Sequence, residues 1–135
     1  MSVVVDTSAL FALLDRRDAN HAAAAGFWTD PDDEDLVTHA YVVIESLALV
    51  RSRLGPAGVA ALVDDLLPTL RVEMVDRHLH DLAVEEHRRL GGGTSVVDRV
   101  TVGFAARHGI ARAFAFDTDL VVAGLAPVTA TPPGP

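Results

Sequence analysis

The chain has 135 residues, half of them hydrophobic and 22% charged, with 11 basic residues against 19 acidic ones for a formal net charge of −8. That length suits one domain around one sizeable core, and the apolar content excludes intrinsic disorder. The absence of cysteine excludes a disulfide scaffold, a thiolate zinc site and a cysteine nucleophile. Every basic residue is Arg and none is Lys, which removes the nucleotide P-loop, Schiff-base chemistry and Lys-assisted phospho-aspartate sites. Net acidity opposes diffuse attraction to nucleic acid, but it leaves room for a local Arg patch or a metal-bridged phosphate contact. The chain runs directly into Val3-Val4-Val5 with no basic leader and no apolar run approaching ~20 residues. The expectation is therefore no signal peptide, no membrane span and a cytoplasmic location.

In chain order, residues 3–5 form a short β-branched run that stops at Asp6-Thr7-Ser8 and predict a buried strand leading into a turn. Residues 9–14 predict a short helix, 15–20 a polar loop and 21–28 an Ala-rich helix. Residues 29–35, with Pro31 and a run of acids, predict a solvated loop. Residues 36–38 are a second strand, after which Thr38 is placed to cap a helix over 40–54 that ends at Gly55-Pro56. Pro56 opens another helix to about residue 67, stopped by Pro68. Residues 70–75 alternate as a third strand, residues 76–90 form a charged helix, and Gly91-Gly92-Gly93 ends it. Thr94-Ser95 then caps a helix over 96–108 that Gly109 stops. A fourth strand spans 113–116, a short turn follows, and a last strand lies near 127–129. One domain covers residues 1–130, and the Pro-rich tail 131–135 is expected to fray. No internal repeat or linker interrupts this order. Alternating strands and helices predict a three-layer α/β/α sandwich around a mainly parallel sheet of four or five short strands.

Sites in open α/β sheets form outside the carboxyl ends of the strands, so the polar residues at those ends matter most. Asp6 follows the first strand and Asp117 the fourth, with Asp119 two residues on. Glu45 stands in the apolar stretch Tyr41-Val42-Val43-Ile44-Glu45-Ser46-Leu47-Ala48, and Asp98 in Val96-Val97-Asp98-Arg99-Val100. Each lies early in a helix that starts near a strand end. A plainer role exists for each acid. Asp6 and Asp117 can cap the helical turns after them, Asp98 fits a capping box with Ser95, and Glu45 can reach solvent along its helix. If the acids converge instead, mutual repulsion and desolvation call for a divalent cation. An all-oxygen donor set favours Mg²⁺ or Mn²⁺ over zinc, and such sites hold phosphates and activate water for in-line displacement.

The stretch from Val3 through Asp6-Thr7-Ser8 to Leu10 resembles the opening of PIN-domain nucleases, an apolar strand and then Asp-x-Ser. Tyr41-x-x-x-Glu45 resembles their second acidic position. Ser95-Val96-Val97-Asp98, with its helix running to Gly109-Ile110, resembles the third, and Phe114-Ala115-Phe116-Asp117-Thr118-Asp119 the fourth. The resemblance covers essentially the whole chain, and its size is similar to that of VapC-type toxins of bacterial toxin–antitoxin pairs. It implies a metal-dependent endoribonuclease with Asp6, Glu45, Asp98 and Asp117 as the catalytic acids. It further implies Asp6, Asp98, Asp117 and Asp119 around Mg²⁺ or Mn²⁺, and Thr7 and Ser8 as auxiliaries. The implied substrate is single-stranded or looped RNA, cut to a 5′-phosphate and a 3′-hydroxyl. Two positions depart from the family's pattern: Ala115 where a Thr or Ser is common, and Arg99 where a small residue follows the third acid.

Arg99, beside Asp98, is the basic residue best placed to meet RNA; Arg51, Arg53, Arg88, Arg89 and Arg107 read as solvated helix charges. The six His show no ligand spacing beyond His78-x-His80 and read as surface or boundary residues. The resemblance also implies a cognate antitoxin and a homodimer, and an apolar groove near residues 42–67 suits either partner. Alternatives are a catalytically weak domain that only binds RNA or protein, and a stand-alone RNA-processing nuclease. A phospho-acceptor signalling domain is disfavoured by the missing Lys.

Overall fold

The computed structural model describes residues 1–29 and 34–129. Its elements are β1 (Ser2–Val5), α1 (Thr7–Leu14), α2 (His21–Thr29), β2 (Asp35–His39), α3 (Ala40–Ala61), β3 (Arg71–Glu73), α4 (Arg77–Leu90), α5 (Val96–His108), β4 (Arg112–Phe114), α6 (Thr118–Val122) and β5 (Ala126–Pro127). The five strands form one sheet in the order β3-β2-β1-β4-β5. Every pairing is parallel. The chain builds outward from β1 to β3, then returns across β1 to add β4 and β5. The order therefore reverses between β1 and β4, where a doubly wound sheet opens a crevice.

The β1 run Val3-Val4-Val5 shows why this is a three-layer fold. All three side chains are fully buried. Val3 and Val5 join one apolar cluster with Leu10, Val42, Leu62 and Phe114. Val4 joins the other with Leu79, Val100, Phe104 and Leu120. Successive strand side chains point to opposite faces, so an unbroken Val run requires helices on both sides. Helices α1, α2 and α3 cover one face and α4, α5 and α6 the other.

Local differences from the sequence reading have physical causes. The expected break between helices over 40–54 and 56–67 is present, but no loop separates them: Gly55, at φ 72° and ψ −166°, leaves the helical region, and α3 is two helices meeting at that kink. Beyond Ala61 the helix loosens into a π turn, Leu62–Leu66, and a final 3₁₀ turn, Leu67–Thr69. Thr38 does not cap α3; its buried hydroxyl donates to the Val5 carbonyl at 2.7 Å, fastening β2 to β1, and His39 holds the cap position without a side-chain bond. Asp35 belongs to β2 rather than to the acidic loop, and pairs with Arg71. β4 spans 112–114, shorter than the expected strand over 113–116, and β5 is Ala126–Pro127 rather than 127–129. Residues 30–33 of the expected acidic loop and the expected tail 131–135 lie outside the described residues.

His39 reverses the expectation of surface histidines. It is fully buried, packs on Phe104, and its Nε2 lies 2.8 Å from Thr101 Oγ1. Thr101 donates its own proton to the Val97 carbonyl, so His39 must donate from Nε2. Burial lowers its pKa to about 4.

Phe114 contacts Phe27, Trp28 and Phe116 and is completely shielded from water. Its truncation tests whether the α1–α2–α3 face carries the fold. Phe114→Ala should lower unfolding free energy by about 3–5 kcal/mol, read from urea denaturation. A loss below about 1 kcal/mol would contradict that packing.

Candidate active site

The carboxyl ends of β1 and β4 are joined at the crevice. Asp6 N–H donates to the Phe114 carbonyl at 3.0 Å, extending the β1–β4 ladder one step beyond the strands. The Asp6 carboxylate caps α1, its Oδ2 accepting from Ser8 N at 3.3 Å and Ser8 Oγ at 2.9 Å. Ser8 Oγ in turn accepts from Phe116 N at 3.0 Å, so one hydroxyl ties the first acid to the loop that leads to the fourth. Asp117 caps α6 by accepting from Asp119 N at 2.9 Å. Ser95 caps α5 by accepting from Asp98 N at 3.0 Å, which fixes Asp98 in the first helical turn.

The capping roles and the convergence are therefore both real. A cap occupies one oxygen and leaves the other. Asp6 Oδ1 is buried and has no hydrogen-bond partner among the described residues. Asp6, Glu45, Asp98, Asp117 and Asp119 line one cleft of about 290 Å³, together with Thr7, Ser8 and Ser95. Carboxylate oxygens of Asp98, Asp117 and Asp119 lie within 4.8 Å of one another. Asp6 and Glu45 are in the same cleft but outside that tight trio. A larger depression, about 560 Å³, sits at the opposite edge of the sheet beside Trp28, Glu34 and Arg71, and none of the five acids reaches it.

The electrostatics match this crowding. Burial pushes the Asp98 carboxyl up to about 7, and the charges of Asp6, Asp117 and Glu45 push in the same direction. Burial also raises Asp6; hydrogen bonds from Ser8 and Thr7 partly offset that, and Asp117 adds to it. No Arg lines the cleft. A buried carboxylate oxygen without a donor, next to three convergent carboxylates, is a donor set suited to a hard divalent cation.

The remaining predicted residues fall into place around this cleft. Half-buried Glu45 supplies the α3 wall. Thr7 is buried, and its Oγ1 accepts from Ser46 Oγ at 3.3 Å, an α1–α3 tie that the sequence did not single out. Arg99 makes no ion pair with Asp98. Its Nη2 donates to the Gly91 carbonyl at 2.9 Å and its Nε lies 3.3 Å from His87 Nδ1, yet it lines a neighbouring cleft that also contains Asp98 and Asp119. Arg107 pairs with Asp76 and Arg88 with Glu85, whereas Arg51, Arg53 and Arg89 have no ion pair among the described residues. Ala115 is buried in the apolar cluster on the α4–α5 side, so its missing hydroxyl belongs to the core rather than to the cleft lining.

Comparison with known proteins agrees with this architecture. Residues 3–124 match the PIN domain family. The chain is 33% identical, over 132 residues, to the 23S rRNA-specific endonuclease VapC20 of Mycobacterium tuberculosis strain CDC 1551 / Oshkosh. The match covers 93% of this chain and 97% of the relative. The VapC20 of strain H37Rv matches to the same extent. The crystal structure of Mycobacterium tuberculosis VapC20, described as a sarcin-ricin loop cleaving toxin, superposes with a TM-score of 0.82 at 32% identity. It covers 92% of this chain and 96% of that one.

The raised Asp98 carboxyl sets a sign for stability against pH. An unfolded Asp titrates near about 3.9. Between there and about 7 the folded chain holds the extra proton, so this group's contribution to stability falls as pH rises. His39 has the opposite sign: its lowered folded pKa makes stability rise between about 4 and its unfolded value of 6.5. Comparing wild type with Asp98→Asn isolates the carboxyl. Without metal, the Tm advantage of Asp98→Asn should grow from pH 5 to pH 8, and Mg²⁺ should narrow it. A gap that stays constant with pH would refute the assigned environment of Asp98.

Proposed function

The chain belongs to the PIN-domain family and is a VapC-type ribonuclease homologue, and from that premise we propose that it is a Mg²⁺- or Mn²⁺-dependent endoribonuclease working at the five-acid cleft. The observation that carries the proposal is the buried, unpartnered Asp6 Oδ1 beside the Asp98–Asp117–Asp119 trio. Such an arrangement is unfavourable for folding and explicable as a cation seat. A divalent cation, when bound, neutralises charge on the phosphoryl oxygens and makes water more acidic.

The chain's own residues do the rest. Asp98, Asp117 and Asp119 hold the cation, with Asp6 as a further ligand. Ser8 locks Asp6 in its cap geometry and ties it to the β4 loop, so the spacing of the first and fourth acids is fixed before substrate arrives. Thr7, pinned by Ser46, keeps α1 against α3 and thereby sets Glu45 opposite the trio. Glu45 accepts a hydrogen bond from the attacking water and orients it. Water oxygen bonds to phosphorus as the bond to the 3′ oxygen breaks. The proton that the water gives up ends on that departing oxygen, leaving a 3′-hydroxyl and a 5′-phosphate. Arg99, at the edge of the adjoining cleft, contacts an RNA phosphate outside the reaction centre.

The substrate is single-stranded or looped RNA, a class consistent with the rRNA and sarcin-ricin loop in the names of the relatives. The nuclease domain spans residues 1–130, acts in the cytoplasm, and is held by a cognate antitoxin and by a second copy of itself. The helical stretch Ala40–Thr69 supports such partners beyond its bend at Gly55, where Val63 is exposed. By length and composition it is apolar enough to cross a membrane, with only 17% of its most apolar window buried. It also carries Arg51, Arg53, Asp64 and Asp65 and a sharp bend at Gly55, and it packs on α1. Those features suit a helix covered by protein better than one in lipid.

Cleavage of a mixed RNA pool tests the reading. Mg²⁺ or Mn²⁺ should support it and EDTA should stop it. Asp6→Asn or Asp98→Asn should lower the rate by at least about a hundredfold while the far-UV spectrum stays native. Ser8→Ala, which loosens Asp6 without removing it, should cost about 10- to 100-fold in rate or metal affinity. Metal-independent cleavage, or full activity in both Asn variants, would overturn the assignment.

A further inference from the structure

No cationic side chain among the described residues lines the acidic cleft. Its walls are carboxylates, hydroxyls, Gly93 and Leu49, and the whole chain carries a charge of −8. Most nucleic-acid binding draws its affinity from neutralised phosphates. Here that contribution is confined to a bound cation and a few peripheral Arg, so affinity must come from another part of the nucleotide.

The surface next to the cleft offers one. Tyr41, Ile44 and Glu45 share a face of α3 at helical spacing, and with Val96 and Val97 of α5 they enclose a depression of about 420 Å³ that is apolar apart from Glu45. Glu45 lines both this depression and the acidic cleft, so the two are neighbours. Ile44 is 65% exposed, an unusual position for a large aliphatic residue in the first turns of a helix at the mouth of a site. Tyr41 is held: its hydroxyl lies 2.6 Å from His80 Nδ1, and its ring meets the edges of His39 and His80. A ring fixed in this way loses little entropy when something packs on it.

We propose that this shelf seats one unstacked nucleobase of the RNA, next to the phosphate that is cut, with Tyr41 and Ile44 as its floor. The proposal rests on the ribonuclease reading and adds a specificity-determining subsite to it. A base-binding shelf suits an acidic protein because stacking and apolar contact carry no phosphate requirement and weaken little with salt. It also restricts cleavage to bases that can leave their helix, since a paired base would have to unstack to enter.

The test is initial-rate cleavage of short single-stranded RNAs in Mg²⁺. Each RNA is used intact and with a single abasic position on either side of the cut. Tyr41→Ala and Ile44→Ser are compared with wild type. Because Ile44 is solvent-exposed, its variant keeps the test valid if Tyr41→Ala fails to fold. On intact RNA both variants should raise KM by roughly 5- to 150-fold with a smaller change in kcat. On the abasic substrate that lacks the seated base, wild type should show the same rise in KM and the variants no further one. Unchanged KM in Ile44→Ser would overturn the shelf while leaving the ribonuclease reading intact, since wild-type cleavage is measured alongside. A KM rise that persists undiminished on every abasic substrate would also overturn it. So would a halved solution mass for Ile44→Ser by sedimentation, because the surface would then be a contact between copies of the chain. Failure of wild type to cleave any of the RNAs would remove the ribonuclease reading and the shelf with it.

Discussion

Five carboxylates at one edge of a small sheet are the constraint on which the rest of this structure depends. Left alone they repel, and burial removes the water that would screen them. The fold meets this by setting four of them at helix N-termini, Asp119 in the first turn of α6 among them. Asp6 caps α1, Asp117 caps α6, and Asp98 sits one turn into α5 behind its Ser95 cap. Unpaired backbone N–H groups and the positive end of the helix dipole stabilise negative charge in that first turn. Capping is thus not an alternative to a metal-binding role. It lets acids stand close together while using only part of each carboxylate.

The sheet order makes this arrangement possible. With β1 in the centre and the direction of winding reversed between β1 and β4, two helix-starting loops emerge side by side. The Asp6 N–H to Phe114 carbonyl bond and the Ser8 bridge to Phe116 are consequences of that adjacency. Hydrophobic packing on both sheet faces then resists relaxation of the loops. Val3 and Val5 are locked on one side and Val4 on the other, so the end of β1 cannot rotate Asp6 out of the cleft without opening both layers.

The layered fold and the acidic edge were legible in the sequence because they follow from short-range patterns. A three-Val run bounded by Asp predicts a doubly covered strand, and the acids read as strand-end residues come from directly after such runs. What stayed hidden depends on contacts across the fold. Thr38 looked like a cap because a hydroxyl before a helix usually is one; the nearby Val5 carbonyl competed for it and won. Gly55-Pro56 read as one helix ending and another starting, and Gly55 does leave the helical region there; what the sequence did not show is that the second helix follows with no loop between. His39 carried no local mark of burial. Its partner Thr101 is remote in sequence, and only the packing of α5 on the sheet brings the two together. Arg99 stood next to Asp98 in sequence, yet neighbours on a helix point in different directions, and its guanidinium turned to the Gly91 carbonyl.

The same constraint bears on binding. A cleft of ionised carboxylates with no Arg among its walls repels phosphate as strongly as it attracts a divalent cation. On the proposed metal-dependent reading, a cation bound there would lower the charge that RNA meets. Asp98, whose carboxyl burial pushes up to about 7, would have to be ionised to serve as a ligand. On that reading metal occupancy would rise with pH over the range in which metal-free stability from this group falls. Fold and function would then be opposed at one residue. A cation that binds only the folded, ionised site would offset that loss of stability by mass action, at the cost of displacing the Asp98 proton.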